Sequence, residues 1–352
     1  MKIGIIGLPQ SGKTTIFNAA AGRSEAVGDY SKASHRAIIK VPDRRLDRLG
    51  ELVAPKKVTH AEIDYLDSPA FTGKGKKTEA SAIAIPEELR YADALIVVVN
   101  CFSPDGNPEH DLNLFNEEMI LADQIIVERK LEKSKRTAQL AADKDAVHEA
   151  EVLAKCVACL EAEKPLSMAG LNDEEEKLLS GFTLLSLSPL LIVLNIGEND
   201  IGSAAAWTDR FKSHAVSGVR DCVAICGKIE MELAALDEAD RAAFIKDLGI
   251  ERPAMEVLIR RSYELLGLIS FFTYNEQEAR AWTVRRGVNA RRAAGAVHSD
   301  MERGFIRGEV IHFDDFDRLG SPHAVKESGK FHVEGKDYIV QDGDVILFRF
   351  NV

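Results

Sequence analysis

The residues best suited to chemistry lie near the amino terminus, in the segment GLPQSGKT at residues 7–14. The segment fits the pattern G-x-x-x-x-G-K-[ST], whose glycines let the backbone wrap a chain of phosphates without Cβ clashes. Successive amide N–H groups then point inward, and a helix that begins there adds its positive end. Lys13 would reach the β and γ phosphates, and the Thr14 hydroxyl would ligate Mg²⁺. The segment therefore predicts a binding loop for a nucleoside triphosphate.

A carboxylate for the same metal ion is predicted at the end of a second strand. Residues 61–67 (AEIDYLD) have strand character and end on Asp67, where P-loop proteins hold Mg²⁺, usually through water. Asp64 is the competing candidate, but it lies in mid-strand, where we expect it to face solvent. Asp67 is therefore the carboxylate predicted to hold Mg²⁺.

A loop that could read the nucleobase follows another apolar run. NIGE at 195–198 stands where GTPases carry N-K-x-D, in which the aspartate accepts two hydrogen bonds from guanine. Here Ile196 replaces the lysine and Glu198 replaces the aspartate. The longer side chain moves the carboxylate and compromises the fit to guanine. Taken alone, a strand-end asparagine followed by a glutamate also suits a plain loop.

Strands and helices alternate around these motifs. Apolar runs at 2–7, 94–100 and 189–195, with a weaker one at 222–226, are typical of strands buried on both faces of a parallel sheet. The helical stretches between them imply right-handed βαβ units. The predicted fold class is therefore α/β, a P-loop NTPase domain with a doubly wound, mostly parallel sheet.

Two segments depart from this alternation. Between about 113 and 185 the strand signals vanish, and residues 117–164 have a helix composition. The polar stretch at 142–146 could be the turn of a helical hairpin, whose charged faces suit solvent or, alternatively, a partner. After about 268 we expect β-type alternation at 269–284, a helix-like stretch at 290–303, and strands at 305–313 and 331–350, the last pair joined by a DGD turn at 342–344.

The composition limits the class of protein. The 352 residues, 45% apolar and 29% charged, suit two or three soluble domains. No apolar run approaches the roughly 18 residues of a membrane span, and the opening KIGIIG is unlike a signal peptide. We therefore expect a cytoplasmic protein with no membrane partner and free thiols, in which Cys156 and Cys159 are helical neighbours rather than a zinc or redox site. The net charge of −11 disfavours bulk adhesion to nucleic acid, and no DNA partner is expected.

The sequence resembles the YchF family, the Obg-like ATPases, along its whole length. The resemblance rests on motifs in every part of the chain: GLPQSGKTT at 7–15, VPDRRLDRL at 41–49, EEMILAD at 117–123, NIGEND at 195–200, EMELAALDEADRAAFIKDLGI at 230–250, FFTYNEQEARAWTVRRG at 271–287, AAGAVHSDMERGFIRGEV at 293–310 and EGKDYIVQDGDVILFRFNV at 334–352. It implies a G domain at 1–112 and 186–267, an inserted antiparallel helical (coiled-coil) domain at 113–185, and a TGS domain of β-grasp shape at 268–352.

The resemblance also implies slow hydrolysis of ATP in preference to GTP, with Mg²⁺, and association with the ribosome or ribosomal RNA. In the family an N-x-x-E loop accompanies the ATP preference, and Cys226-Gly227-Lys228 occupies the S-A-K position beside the base. The predicted nucleotide-binding residues are Leu8, Pro9, Gln10, Ser11, Gly12, Lys13, Thr14, Thr15, Asn195, Ile196, Glu198, Cys226, Gly227 and Lys228, with Lys13 also predicted as catalytic. The predicted metal set is Thr14, Asp67 and Ser31, with Ser34 as the competitor of Ser31.

The sequence departs from the family pattern after Asp67. The family reads D-x-A-G-L there, whereas this chain reads DSPAF at 67–71. Ala70 keeps a backbone N–H for the γ-phosphate but adds a Cβ. Phe71 stands where Ras-like GTPases carry a water-orienting glutamine, and it cannot position water; a packing role suits it equally well. Nucleotide binding is therefore more firmly predicted than turnover.

The last part of the chain holds a basic stretch. From Ala279 to Val310 there are seven arginines against three acidic residues, a local charge of +4 in a chain of −11. A mixed surface is one interpretation, and an RNA or ribosome contact, which the resemblance favours, is the other. The candidate contacts are Arg285, Arg286, Arg291 and Arg292. We expect His298 to be structural.

Two functional classes suit these observations. An ATP-hydrolysing switch that acts on translation is favoured by Lys13, Thr14 and Asp67. A nucleotide-binding scaffold with vestigial hydrolysis is favoured by the altered segment at 67–71. A small-molecule kinase is disfavoured because the sequence has no arginine-rich lid pattern.

Overall fold

The structure is a computed structural model that describes residues 1–22, 35–68, 86–141, 144–214, 220–250 and 252–351. These residues divide into two compact units. The first unit comprises Met1–Ala37 and Asp64–Val257, and the second comprises Ile38–Ile63 and Leu258–Val352. The three-part division at 113, 186 and 268 stays a prediction. The contacts do show that residues 38–63, which that division assigns to the G domain, pack with the carboxy-terminal part of the chain.

In chain order the strands are β1 (Lys2–Gly7), β2 (His35–Lys40), β3 (Lys57–Thr59), β4 (Glu62–Asp67), β5 (Ala94–Cys101), β6 (Leu190–Ile196), β7 (Arg220–Ile225), β8 (Leu268–Tyr274), β9 (Glu278–Arg285), β10 (Phe305–His312), β11 (His332–Glu334) and β12 (Asp344–Phe350). The α-helices are α1 (Lys13–Ala21), α2 (Arg44–Val53), α3 (Pro108–Ala141), α4 (Lys144–Glu161), α5 (Asp173–Leu179), α6 (Ala204–Arg210), α7 (Gly227–Ala235), α8 (Glu238–Asp247), α9 (Ala254–Leu265), α10 (Ala290–Val297), α11 (Ser299–Arg303), α12 (Phe313–Leu319) and α13 (Pro322–Glu327). Short 3-10 turns lie at Glu87–Tyr91, Leu166–Met168, Ser180–Phe182, Leu185–Leu187, Glu198–Ser203 and Lys212–His214. Within the described ranges, no helix combines the length and the apolar character that a membrane crossing requires.

The first sheet has the strand order β2-β4-β1-β5-β6-β7. The pairs β1–β4, β1–β5, β5–β6 and β6–β7 are all parallel. All seven residues of β6 are buried, which explains why a continuous apolar run encodes it. The doubly wound α/β prediction is confirmed. The edge strand β2 was not predicted from its sequence HRAIIK, because only two of its six residues are buried.

The helical hairpin of α3 and α4 emerges between β5 and β6, and α3 begins at Pro108, ahead of the predicted start at 113. Its two helices pack on each other around buried Val127, Leu153 and Cys156. Cys156 and Cys159 lie one turn apart on α4 as free thiols, and burial raises the pKa of Cys156 to about 11.

A buried carboxylate joins the hairpin to the sheet. Asp123 on α3 is fully buried and accepts hydrogen bonds from the backbone N–H of Leu185 at 2.9 Å and of Ser186 at 2.7 Å, and from the Ser186 hydroxyl at 2.6 Å. Burial raises the pKa of Asp123, and the three hydrogen bonds offset that effect. The partners of Asp123 lie just ahead of β6. Asp123 itself ends the motif EEMILAD at 117–123, whose role the sequence alone did not reveal.

The second unit contains a mixed sheet with the order β11-β10-β12-β8-β9-β3. β8 and β9 form an antiparallel hairpin, β12 runs parallel to β8, and α10 packs against the sheet through buried Ala290, Ala293 and Ala294. This is the predicted β-grasp shape.

One local prediction for the second unit is wrong. Residues 331–350 do not form a strand pair around 342–344, because both β11 and β12 pair with β10 instead. Gly343, at φ 92°, donates its N–H to the Ser270 carbonyl at 2.8 Å. The DGD segment therefore leads into β12 from a loop that is bonded to β8.

Segment 38–63 is held in the second unit by backbone pairing and by an arginine. β3 runs parallel to β9, and α2 starts at the N-cap residue Asp43. Arg45 donates to Asp43 at 2.8 Å and to Asp342 at 2.9 Å, and its guanidinium lies 5.4 Å from the centre of the Phe272 ring. Burial opposes the charge of Arg45, but the hydrogen bonds to Asp43 and Asp342 outweigh this effect and raise the pKa of Arg45, so the side chain stays charged.

We expect Asp123→Ala to destabilise the first unit because it leaves two buried N–H groups without an acceptor. Each such group costs about 1–3 kcal/mol, so the free energy of unfolding should fall by roughly 3–5 kcal/mol. Urea denaturation would measure this. Glu117→Ala, at an exposed position on the same helix, is the matched control and should change stability by less than about 0.5 kcal/mol. Equal stability of the two variants would contradict the anchoring role of Asp123.

Candidate functional site

The P-loop connects the end of β1 to the start of α1. Its backbone enters the left-handed region at Gln10 (φ 64°) and Gly12 (φ 87°), and α1 begins directly after Gly12. A Cβ on Gly12 would lie 2.1 Å from the Asn195 Nδ2 atom, so only glycine fits there. Of the remaining predicted loop residues, Ser11 is buried, Leu8 is half-buried, and Pro9 and Gln10 are exposed.

Lys13, Thr14 and Asp67 meet at the carboxyl edge of β1 and β4. The Thr14 hydroxyl donates to Asp67 Oδ2 at 3.0 Å, and Lys13 Nζ lies 3.8 Å from Asp67 Oδ1. Asp67 is only 6% exposed. The hydroxyl and the carboxylate are the hard oxygen donors that Mg²⁺ prefers, and the remaining coordination positions suit phosphate oxygens and water. The residues present therefore fit the predicted metal ion.

Asp64 lies apart from this group. Positions 64 and 67 of one strand point to opposite faces, and Asp64 accepts from Arg36 Nε at 2.7 Å. The Asp64 side chain is 12% exposed and bonds to the exposed Arg36, so it is more shielded from solvent than the sequence suggested. Ser31, Ser34, Ala70 and Phe71 lie outside the described residues.

The side chain of Asn195 joins three backbone segments. Its Nδ2 donates to the Ser11 carbonyl at 2.9 Å, and its Oδ1 accepts from the Gly227 N–H at 3.0 Å. Asn195 itself is nearly the last residue of β6 and is 5% exposed. The P-loop, the end of β6 and the start of α7 are therefore held together by one buried amide.

These segments enclose a cavity of about 480 Å³ beside the P-loop. Of the predicted residues, those that line it are Gly12, Thr15, Asn195, Ile196, Glu198, Cys226 and Lys228. Gly227 acts through its bond to Asn195. Burial raises the pKa of Cys226, at the N-cap of α7, so its thiol stays protonated. At the rim, Lys228 Nζ donates to Glu198 Oε1.

The sequence reasoning missed Phe102, Gly197 and Asn199, which also line the cavity. Phe102 follows β5 in a turn that the Asn100 side chain stabilises by accepting the N–H groups of Phe102 at 3.2 Å and Ser103 at 3.1 Å. A usable signal existed, because residues just beyond the carboxyl ends of parallel strands line the binding crevice of α/β sheets.

The seven arginines of the basic stretch at 279–310 fall into two groups. Arg280, Arg303 and Arg307 have acidic neighbours in Glu278, Asp300 and Glu309. The four predicted contacts, Arg285, Arg286, Arg291 and Arg292, are exposed at the end of β9 and in the first turn of α10. His298 Nδ1 accepts the Asp300 N–H at 3.2 Å and caps α11, which agrees with a structural role.

Comparison with known proteins identifies the family. A family described as "50S ribosome-binding GTPase" matches residues 2–141, and one described as "Protein of unknown function (DUF933)", the YchF-GTPase_C model, matches residues 268–351. A "Ribosome-binding ATPase YchF" from Bacillus subtilis (strain 168) is 37% identical and covers 99% of both chains. Its namesake from Haemophilus influenzae is 36% identical over all of this chain and 99% of its own.

A solved structure agrees with these matches. The structure of the Schizosaccharomyces pombe YchF GTPase has a TM-score of 0.81 and 26% sequence identity, and the match covers 99% of this chain and 97% of that one. The chain belongs to the YchF family.

Proposed function

We propose that this protein is a Mg²⁺-dependent cytoplasmic nucleoside triphosphatase that prefers ATP to GTP, turns it over slowly and acts as a switch on the ribosome. The observation that carries the proposal is the meeting of Lys13, Thr14 and Asp67 beside a P-loop. The names of its relatives, ribosome-binding ATPases, support the partner and the nucleotide.

Each residue has a role in this proposal. The P-loop amides and Lys13 bind and orient the phosphates, with Lys13 stabilising the charge that develops on them. Thr14 and Asp67 would hold the metal ion. Mg²⁺, when bound, neutralises charge on the phosphate oxygens. The cavity beside Asn195 takes the base. Slow turnover is proposed because the sequence has no glutamine at 68–71 to orient water.

The DSPAF segment also supports the second class of function, a nucleotide-binding scaffold whose hydrolysis is vestigial. Single-turnover hydrolysis, measured with and without ribosomes, separates the two. A switch should show a slow rate that ribosomes change, whereas a scaffold should show no turnover in either condition.

Lys13→Ala should weaken ATP binding by roughly thirty-fold or more while leaving the fold intact, because a buried phosphate charge loses its partner. Calorimetric titration would measure the affinity, and circular dichroism would check the fold. Lys164→Ala, at an exposed lysine on the same unit, is the matched control. If Lys13→Ala bound ATP within a few-fold of wild type, residues 7–14 would not be the binding loop.

ATP should bind more tightly than GTP. Glu198 stands where guanine recognition uses aspartate, and Ile196 replaces the lysine. A polar group of the base or of its site that is buried without a partner lowers affinity by roughly 1–3 kcal/mol. Calorimetric titration of wild-type protein with both nucleotides is the measurement, and a GTP affinity tenfold above that of ATP would sink this prediction.

We expect Arg285→Glu with Arg286→Glu to weaken co-sedimentation with ribosomes and leave ATP affinity unchanged. Both side chains are exposed, and the P-loop belongs to the other unit. A plot of log affinity against log salt has a negative slope, and each lost phosphate contact reduces its magnitude by about one. The slope of the double variant should therefore be shallower by roughly two.

A double reversal at Arg241 and Lys246, two exposed cations on α8, is the matched control and should co-sediment like wild type. If the Arg285–Arg286 variant also did so across the salt series, these arginines would be an ordinary solvated surface. The partner site would then be sought on the helical hairpin.

A further inference from the structure

The ion pair between Lys228 and Glu198 stands at the rim of the cavity that the base would occupy. Glu198 opens the 3-10 turn that follows β6, and Lys228 is the second residue of α7. Lys228 Nζ donates to a single carboxylate oxygen, Glu198 Oε1. The pair therefore engages one of the two oxygens on the side chain that replaces the guanine-reading aspartate.

The position of the pair follows from the buried asparagine. Gly227, which immediately precedes Lys228, donates its N–H to Asn195 Oδ1 at 3.0 Å. Glu198 lies in the same loop as Asn195. The hydrogen bond to Glu198, and then Coulomb attraction, raise the pKa of Lys228, so the ammonium stays charged at neutral pH.

Stability does not explain the pair. Lys228 and Glu198 side chains are 66% and 48% exposed, and ion pairs at that exposure contribute little to folding. The pair instead limits the hydrogen bonds that the Glu198 carboxylate can accept from a base. A carboxylate reads guanine by accepting from N1–H with one oxygen and from the N2 amino group with the other. Adenine has no N2 amino group and presents one amino donor, at N6, on that edge.

We propose that Lys228 is a positioning residue that sets base specificity by occupying one oxygen of Glu198. The inference rests on the proposed function, because it assumes that the base enters this cavity. The ammonium takes one acceptor position of Oε1 and stands beside that oxygen, so Oε2 is the oxygen left open to the base, and one acceptor suffices for adenine. Guanine would leave its N2 amino group unpaired, and an unpaired buried donor lowers affinity.

Inosine nucleotides separate this mechanism from a general effect of charge. Hypoxanthine has the N1–H and O6 of guanine but lacks the N2 amino group, so the ratio of GDP to IDP affinity reports the N2 contact alone. Diphosphates avoid turnover during the titration. In wild-type protein IDP should bind more tightly than GDP, and ADP at least as tightly as IDP.

The test is calorimetric titration of ADP, GDP and IDP with wild type, Lys228→Met and Lys228→Arg. Lys228→Met keeps the aliphatic stem but frees both carboxylate oxygens, so the GDP/IDP affinity ratio should rise roughly tenfold. Lys228→Arg restores a donor and should return the ratio toward wild type. Lys164→Met, at an exposed lysine away from the cavity lining, controls for loss of charge, and thermal melting confirms that each variant folds.

A GDP/IDP ratio in Lys228→Met within twofold of wild type would overturn the inference, as would a wild-type ratio above one. If all variants bound ADP tightly and the GDP/IDP affinity ratio did not change, the P-loop assignment would stand and only the proposed role of Lys228 would be rejected. Absence of binding by all three diphosphates to wild type would overturn the proposed function and this inference together.

Discussion

Three backbone segments that would surround a nucleotide meet at one buried amide, the side chain of Asn195. Two glycines make this meeting possible, because a Cβ on Gly12 would lie 2.1 Å from Asn195 Nδ2 and one on Gly227 would lie 3.0 Å from Asn195 Oδ1. Loss of the amide would leave the Ser11 carbonyl and the Gly227 N–H unpaired, at about 1–3 kcal/mol each. The geometry of the P-loop, of the cavity and of the rim therefore depends on a side chain that need not touch the phosphates.

Strand β6 is held at both ends by buried polar side chains of this kind. Asp123 accepts the N–H groups of Leu185 and Ser186 just before the strand, and Asn195 bonds outward near its last residue. Between them every residue of the strand is buried. Close packing of that length leaves β6 little freedom to slide. The helical hairpin and the cavity beside Asn195 are thus attached to opposite ends of one strand of the first unit.

Most of the first sheet could be predicted because β5 and β6 are short continuous apolar runs, a pattern that is visible in the local sequence alone. The P-loop could be predicted because each of its residue types has a local mechanical reason. Asn195 could be located but its role could not, since both of its partners are backbone atoms that are distant in sequence. Phe102 was missed for a related reason: what makes it part of the cavity is the Asn100 turn that places it there.

The sequence could not show that segment 38–63 packs in the second unit. Helix α2 reads as an ordinary capped helix, with Asp43 at its N-cap, and nothing local distinguishes packing on one sheet from packing on the other. Besides the pairing of β3 with β9, the contacts that hold this segment include Arg45 with Asp342, two residues almost three hundred positions apart. Asp342 also accepts the Ser270 N–H at 2.9 Å, and although burial opposes this, the bonds to Arg45 and Ser270 lower the pKa of Asp342. Because Arg45 is half-buried, loss of Asp342 would remove one of its two carboxylate partners. A pair that local patterns cannot reveal therefore joins α2 to the carboxy-terminal part of the chain.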